Sequence, residues 1–278
     1  MSIWEKITNL DIRVLWVLMV LAVLIPLIKP LGLPVPIKPE TRAAFDYACS
    51  LPKGSWVMMA VDISPMSAPE CWPAALAMYR HYESLGLRII LFNIVPEGTM
   101  YAEKLWQGYS KEYKYEYGKD VVQMPFRAGD ESTIAAIGAN FRAVYTADQY
   151  GTPLDQLPIF DGFHGIQDVA LLCDYASTIH PMYYLQQING KYGTPMVLNV
   201  VAVDAPKYET YFKSGQLKGV LCGVASGAEY ELLAKVPGPA ASQMDALSMG
   251  HLLFILAMVL TNISWWLSRG KKVQERGA

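Results

Sequence analysis

Two uncharged apolar stretches, one near each end, constrain this chain more than any other feature. Val14 to Ile28 reads VLWVLMVLAVLIPLI, and Leu247 to Leu267 continues for 21 residues without a charge. A helix rises about 1.5 Å per residue, so about 20 apolar residues cover the roughly 30 Å of bilayer hydrocarbon. The second stretch meets that length outright, and the first approaches it when Ile12 and the residues after Lys29 are included. Hydrophobic residues make up 53% of the chain and charged residues 17%, against about 25% charged in ordinary soluble domains. The excess apolar surface is expected to face lipid or protein.

Charge placement orients the spans. Arg269, Lys271, Lys272 and Arg276 follow the second stretch, and basic residues stay on the cytoplasmic side. Trp265 and Trp266 fall where an aromatic belt meets headgroups. Lys6 and Arg13 precede the first stretch, as in a secretory signal, but no small-x-small cleavage motif follows it, so an uncleaved anchor is expected. Pro26 is expected to kink or end that first helix. The resulting layout is a two-pass cell-membrane protein with both termini cytoplasmic. A tail (1–11), a first span (12–30) and a Pro-rich linker with a short helix (31–54) lead into an extracytoplasmic domain (55–236). A linker (237–246), a second span (247–267) and a basic tail (268–278) complete it. Thr261, Asn262 and Ser264 are polar groups inside the second span, candidates for contacts with a neighbouring helix or for bonds back to their own.

Between the spans, apolar runs alternate with helical patterns. Trp56–Ile63, Arg88–Val95, Asp120–Phe126, Val169–Cys173, Met196–Val203 and Gly219–Val224 read as strands. Helices are expected at Cys71–Leu85, Thr99–Tyr115, Glu131–Tyr145, Pro181–Ile188, Pro206–Lys213 and Ala228–Ala234. Strands that are apolar throughout and separated by helices predict an α/β fold with a doubly wound, mostly parallel, Rossmann-like sheet.

In such sheets ligands bind outside the carboxyl ends of the strands. The residues expected there are Asp62, Ser64, Asn93, Asp174, Asp204, Ser226 and Gly227. The segment DISPMS, Asp62 to Ser67, resembles the start of the metal-binding motif of von Willebrand factor A domains, Asp-x-Ser-x-Ser after a first strand. It departs from that pattern, since Met66 stands at the second serine position and Ser67 is one residue late, so a hard cation would lack an oxygen ligand. GVASGAEYE, Gly223 to Glu231, offers small residues for an anion at a helix start or for close packing. Asp161, His164 and Asp168 share a glycine-rich loop, where a carboxylate beside an imidazole can exchange protons. His81 and His180 read as ordinary surface or helix-start residues. The run Tyr109 to Tyr117, YSKEYKYEY, is a candidate contact face.

Cys49, Cys71, Cys173 and Cys222 lack the spacing of a zinc site; Cys49 and Cys71 flank the first strand and are able to pair in an oxidising compartment. No metal and no cofactor is expected. A net charge of −2 without a long basic run excludes a phosphate-binding footprint, hence nucleic acid. Without a complete catalytic set, the leading expectation is a non-catalytic structural or scaffold subunit of a larger membrane assembly. Its partners would be the lipid bilayer and other membrane subunits or further copies of itself. A membrane-anchored ligand-binding or sensing domain comes second, and an extracytoplasmic hydrolase using Asp161, His164 or Ser226 third. Tails of about eleven residues, 1–11 and 268–278, leave no room for a signalling domain, so an inward message would need a partner.

Overall fold

The computed structural model describes residues 11–177 and 179–275, with side chains through Leu267. The basic side chains expected at the interface, Arg269, Lys271 and Lys272, and the start of the expected N-terminal tail including Lys6 lie outside the described set. The chain divides into a helical unit, Met1–Pro34 with Ala241–Ala278, and an α/β unit, Val35–Ala240.

In the α/β unit six parallel strands form one sheet: β1 (Trp56–Ala60), β2 (Arg88–Phe92), β3 (Val121–Gln123), β4 (Val169–Ala176), β5 (Met196–Val200) and β6 (Gly219–Cys222). Their order is β3-β2-β1-β4-β5-β6, which is the Rossmann-like arrangement with the switch in winding between β1 and β4. The sheet is parallel throughout. Parallel strands are covered on both faces, so their side chains are apolar without alternation, as β1 (WVMMA) illustrates.

Alternate residues divide the core into two. Met58, Ala60, Ile90, Phe92, Leu172 and Leu198 face one side, with Ile134, Phe141, Tyr184 and Tyr208. These last four come from α5 (Asp130–Ala139), α6 (Phe141–Val144), α7 (His180–Tyr184) and α9 (Ala205–Lys213); α8 (Gly190–Tyr192) follows α7 after a π turn. The other face buries Val57, Met59, Ile89, Leu91, Cys173 and Tyr175. It lies under α2 (Pro39–Ser50), α3 (Ala68–Ser84), α4 (Gly98–Tyr109) and α10 (Gly223–Ala234). α2, in the stretch read from sequence as an entry linker, lies against β6. There Gly219 is required: a Cβ on it would sit 2.4 Å from the Ala44 Cβ.

Several boundaries differ from the sequence reading. α4 stops at Tyr109, so Tyr113 and Tyr115 lie in a loop instead of the expected helix. Lys114 turns to φ 57, and the Tyr115 hydroxyl donates to the Leu87 carbonyl at 2.8 Å. These tertiary bonds outweigh helical propensity. The third strand contracts to Val121–Gln123. β6 ends at Cys222, and Gly223, at φ 67, turns the chain directly into α10.

In the helical unit, α1 (Ile12–Ile28) has 17 residues, and Pro26 lies inside it instead of ending it. α11 (Pro239–Glu275) contains the one described helix long and apolar enough to cross a membrane, Pro239–Leu267, of mean hydropathy 1.9. At about 1.5 Å per residue α1 is shorter than the hydrocarbon layer. Thr261 donates to the Ala257 carbonyl at 2.7 Å and Asn262 to that of Met258 at 2.9 Å, so two of the three candidates for interhelical contact bond within their own helix. Ser264 is buried, and Trp265 and Trp266 are exposed.

Asp245 ties the two terminal segments together. Its carboxylate accepts N–H bonds from Leu31 (2.7 Å), Gly32 (2.9 Å) and Leu33 (3.1 Å). Gly32, at φ 69, curls the backbone so that successive N–H groups converge on one anion. Further along, Gly250 faces Val23, whose methyl would stand at an ordinary contact distance of 3.6 Å from a Cβ there. Asp245→Ala leaves three N–H groups without this acceptor. Since a hydrogen bond to a charged group contributes about 1.5–3 kcal/mol, the variant should lower the melting temperature of the purified chain in micelles. An unchanged melt would show that the carboxylate does not hold the helices together.

Candidate functional site

The carboxyl ends of β1 and β4, at the switch point, bring together two carboxyl groups that lie far apart in sequence. Asp174 pairs in register with Ala60 of β1, and Asp62 follows two residues later, so alternation directs both side chains to the same face. Both are buried, at 2% and 0% exposure. Asp62 is well provided with donors: Oδ1 accepts from Ile94 N (2.7 Å) and Val95 N (3.3 Å), and Oδ2 from the Tyr184 hydroxyl (2.9 Å). Asp174 has no partner on either carboxyl oxygen, and the buried hydroxyls of Tyr145 and Tyr208 on the same face are also unpartnered.

This asymmetry decides where the charge sits. Burial pushes the Asp62 carboxyl up to about 6, while its three donors and the nearby His180 pull the other way. Burial and the Asp62 charge together hold Asp174 well above the ordinary carboxyl range. Two neighbouring buried carboxyls do not both ionise readily, so Asp62 carries the negative charge and Asp174 the proton. Around them stand an aromatic wall, with Phe92 and Tyr184 rings at 6.0 Å, and a rim where Arg127 lies 5.4 Å over the Tyr145 ring and His180 lies 3.6 Å from Asp130. His180 is the first residue of α7, as its reading as a helix-start residue expects. The π turn Leu185–Asn189 follows Tyr184 directly, and such turns are frequent at functional sites.

The other sequence candidates lie elsewhere. Ser64 and Ser67 close their own turn, with Ser64 N donating to Ser67 Oγ at 3.0 Å. With Asp62 committed to Ile94, Val95 and Tyr184, the DISPMS segment does not assemble the metal constellation it resembles. Among the described residues no group of three or more His, Cys, Asp or Glu converges as a metal site. Asn93 faces the opposite side and donates to Val95 O and Thr99 Oγ1. Asp204 ends the short turn before α9. Gly227 packs α10 on α3, where a Cβ would lie 3.2 Å from Ala74 N, and Ser226 is buried beside it. Their smallness serves helix contact. A Cβ on Gly223 would lie 3.0 Å from Glu70 Oε2, and the carboxylate there disfavours an anion at this helix start.

Catalytic pairings are likewise separated. His164 Nδ1 lies 3.4 Å from Asp168 Oδ2 before β4, at the amino end of the sheet, whereas Ser226 follows β6 at the carboxyl end. His81 is buried, contrary to its surface reading: its ring stacks on Phe45 at 4.8 Å, Nδ1 meets the Tyr230 hydroxyl at 2.9 Å, and Nε2 faces Cys49 Sγ at 3.6 Å. This has the outline of a nucleophile, base and orienting group. Burial, however, lowers the imidazole to about 4 and raises the thiol, so the pair stays neutral and unactivated. Cys71 is buried near Ala176 O and Asn199 O, and Cys49 and Cys71 are free thiols.

Tyr145, Tyr184 and Tyr208 escaped the sequence reading because each sits in or beside a different helix, with nothing local to mark it. No family model, no curated protein and no solved structure matches this chain.

A raised carboxyl pKa means that the folded state binds the proton more tightly than the unfolded chain, so folding is favoured at low pH. Stability should decline as pH rises from 3.8 through about 6 for Asp62, and further wherever Asp174 is made to ionise. Asp174→Asn imitates the protonated carboxyl and should melt at or above the wild type at pH 8, with a flatter profile above pH 6, followed by tryptophan fluorescence. A variant melting several degrees lower would show that Asp174 is needed as an anion.

Proposed function

We propose that this chain is a two-pass membrane protein that presents its α/β unit on the extracytoplasmic side as a non-catalytic subunit of a membrane assembly. The observation that carries this reading is the helical unit. α11 holds a stretch of membrane-spanning length; the segment just after the apolar α1 is bound to it through Asp245, and Val23 of α1 faces Gly250. Outward-facing Trp16, Val20 and Ile25 of α1 and Phe254, Ile255 and Met258 of α11 supply lipid-compatible surface. The basic residues after Leu267 favour a cytoplasmic C-terminus, and two spans then return the N-terminus to the same side. On the α/β unit an aromatic step of Trp106, Tyr117 and Tyr150, with Trp106 and Tyr117 rings 4.6 Å apart, supports contact with other subunits or further copies of the chain.

A second reading, a ligand-binding or sensing module, is favoured by the unpartnered Asp174, Tyr145 and Tyr208 groups at the switch point. Buried polar groups are nearly always satisfied, and a small ligand would supply the missing bonds.

Cys49 is a built-in topology probe, since it is exposed while Cys71 and Cys173 are buried and Cys222 is half-buried. A membrane-impermeant maleimide should label it in spheroplasts, and Cys49→Ser should remove the signal. Labelling only after lysis would place the α/β unit in the cytoplasm and end the topological part of the proposal. Chemical crosslinking before solubilisation should capture a species larger than the monomer; a monomer alone would argue against the assembly role.

A further inference from the structure

At the amino end of the sheet, opposite the carboxyl pair, the end of α3 and the loop after α4 enclose an open cavity of about 390 Å³, a volume suited to a small ligand. Lys53, Glu83, Gly86, Tyr113, Lys114 and Asp120 line it. Glu83 is only 3% exposed, and neither carboxylate oxygen has a hydrogen-bond partner. The neighbouring Tyr79 and Ser110 hydroxyls bond one another. Burial pushes the Glu83 carboxyl up to about 7, with the nearby Ser110 and Tyr79 hydroxyls and Arg80 pulling the other way.

Three features favour a cation beside Glu83. α3 ends here after 17 residues, and the carbonyl end of a helix favours positive charge. Tyr113 and Tyr115 line the cavity, and tyrosine rings attract an ammonium group. Asp120 adds a second carboxylate, with one oxygen accepting from Glu116 N at 3.1 Å. Lys53 and Lys114 bring the opposite charge to the exposed rim, and among the described residues neither forms an ion pair. Lys114 holds φ 57, a conformation that glycine adopts more readily. Two cations and two carboxyls around one cavity match a ligand carrying one charge of each sign; a purely anionic or cationic molecule would leave one pair unanswered.

We propose that this cavity binds a small zwitterion of free amino acid type, with its ammonium group at Glu83 and Asp120 and its carboxylate at Lys53 and Lys114. The site is distinct from the switch point and does not depend on the assembly role.

The test is titration calorimetry on the full-length chain in micelles, with L-alanine as probe and ethylamine and acetate as single-charge controls. L-alanine should bind at least about tenfold more tightly than either control. Glu83→Gln should weaken L-alanine by a similar factor. Lys114→Gly should weaken it too while the melting temperature stays level or rises, because glycine suits the backbone there, so loss of fold cannot account for loss of binding. L-alanine binding no better than the controls, or binding unchanged in Glu83→Gln and Lys114→Gly, would overturn the proposal.

Discussion

Parallel strands must be covered on both faces, and most of this molecule follows from that requirement. Strands that bond their neighbours in one direction need crossover helices, and those helices place apolar stripes on both sides of the sheet. Here α2, α3, α4 and α10 take one face and α5, α6, α7 and α9 the other. The order β3-β2-β1-β4-β5-β6 then makes the crossovers diverge between β1 and β4. At that divergence no connection bridges the strand ends, and the polar ends of two apolar strands, Asp62 and Asp174, meet in the interior.

The meeting has an electrostatic cost that the fold meets unequally. Backbone N–H groups of Ile94 and Val95 reach Asp62 because β2 lies beside β1 and its chain continues past the same edge. Asp174 sits one layer deeper, with Leu198 and Ala60 as register neighbours, and neither side chain offers a donor. One carboxyl is thus stabilised as an anion and the other as a neutral acid. Desolvation likewise raises the Glu83 carboxyl at the opposite end of the sheet, at the wall of an open cavity. His81 shows the converse: burial between Phe45 and Tyr230 keeps an imidazole neutral beside an exposed thiol.

Much of the architecture was legible in the chain because its signals are local. Apolar runs such as WVMMA and RIILF name their strands, and Gly86 at φ 71 marks the end of α3. Legibility failed where distant bonds overrode local preference. The tyrosine run from Tyr109 to Tyr117 has helical patterning, yet Tyr115 is drawn to Leu87 and Tyr117 lies 3.1 Å from Asp148. The small residues Gly223 to Gly227 read as a ligand loop because smallness serves anion binding and helix packing alike, and only the approach of α3 distinguishes them.

By itself the sequence determined the parallel α/β class, the apolar character of both terminal segments and the presence of acids at strand ends, since each is written in runs of a few adjacent residues. Only the tertiary structure decided that Asp62 and Asp174 share a face with Tyr145, Tyr184 and Tyr208, that Glu83 lines a cavity, and that Asp245 gathers the backbone of Leu31 to Leu33 across 214 positions. The reason is physical: strand order, register and helix packing set distances between residues remote in sequence, and charge, protonation and hydrogen bonding depend on those distances.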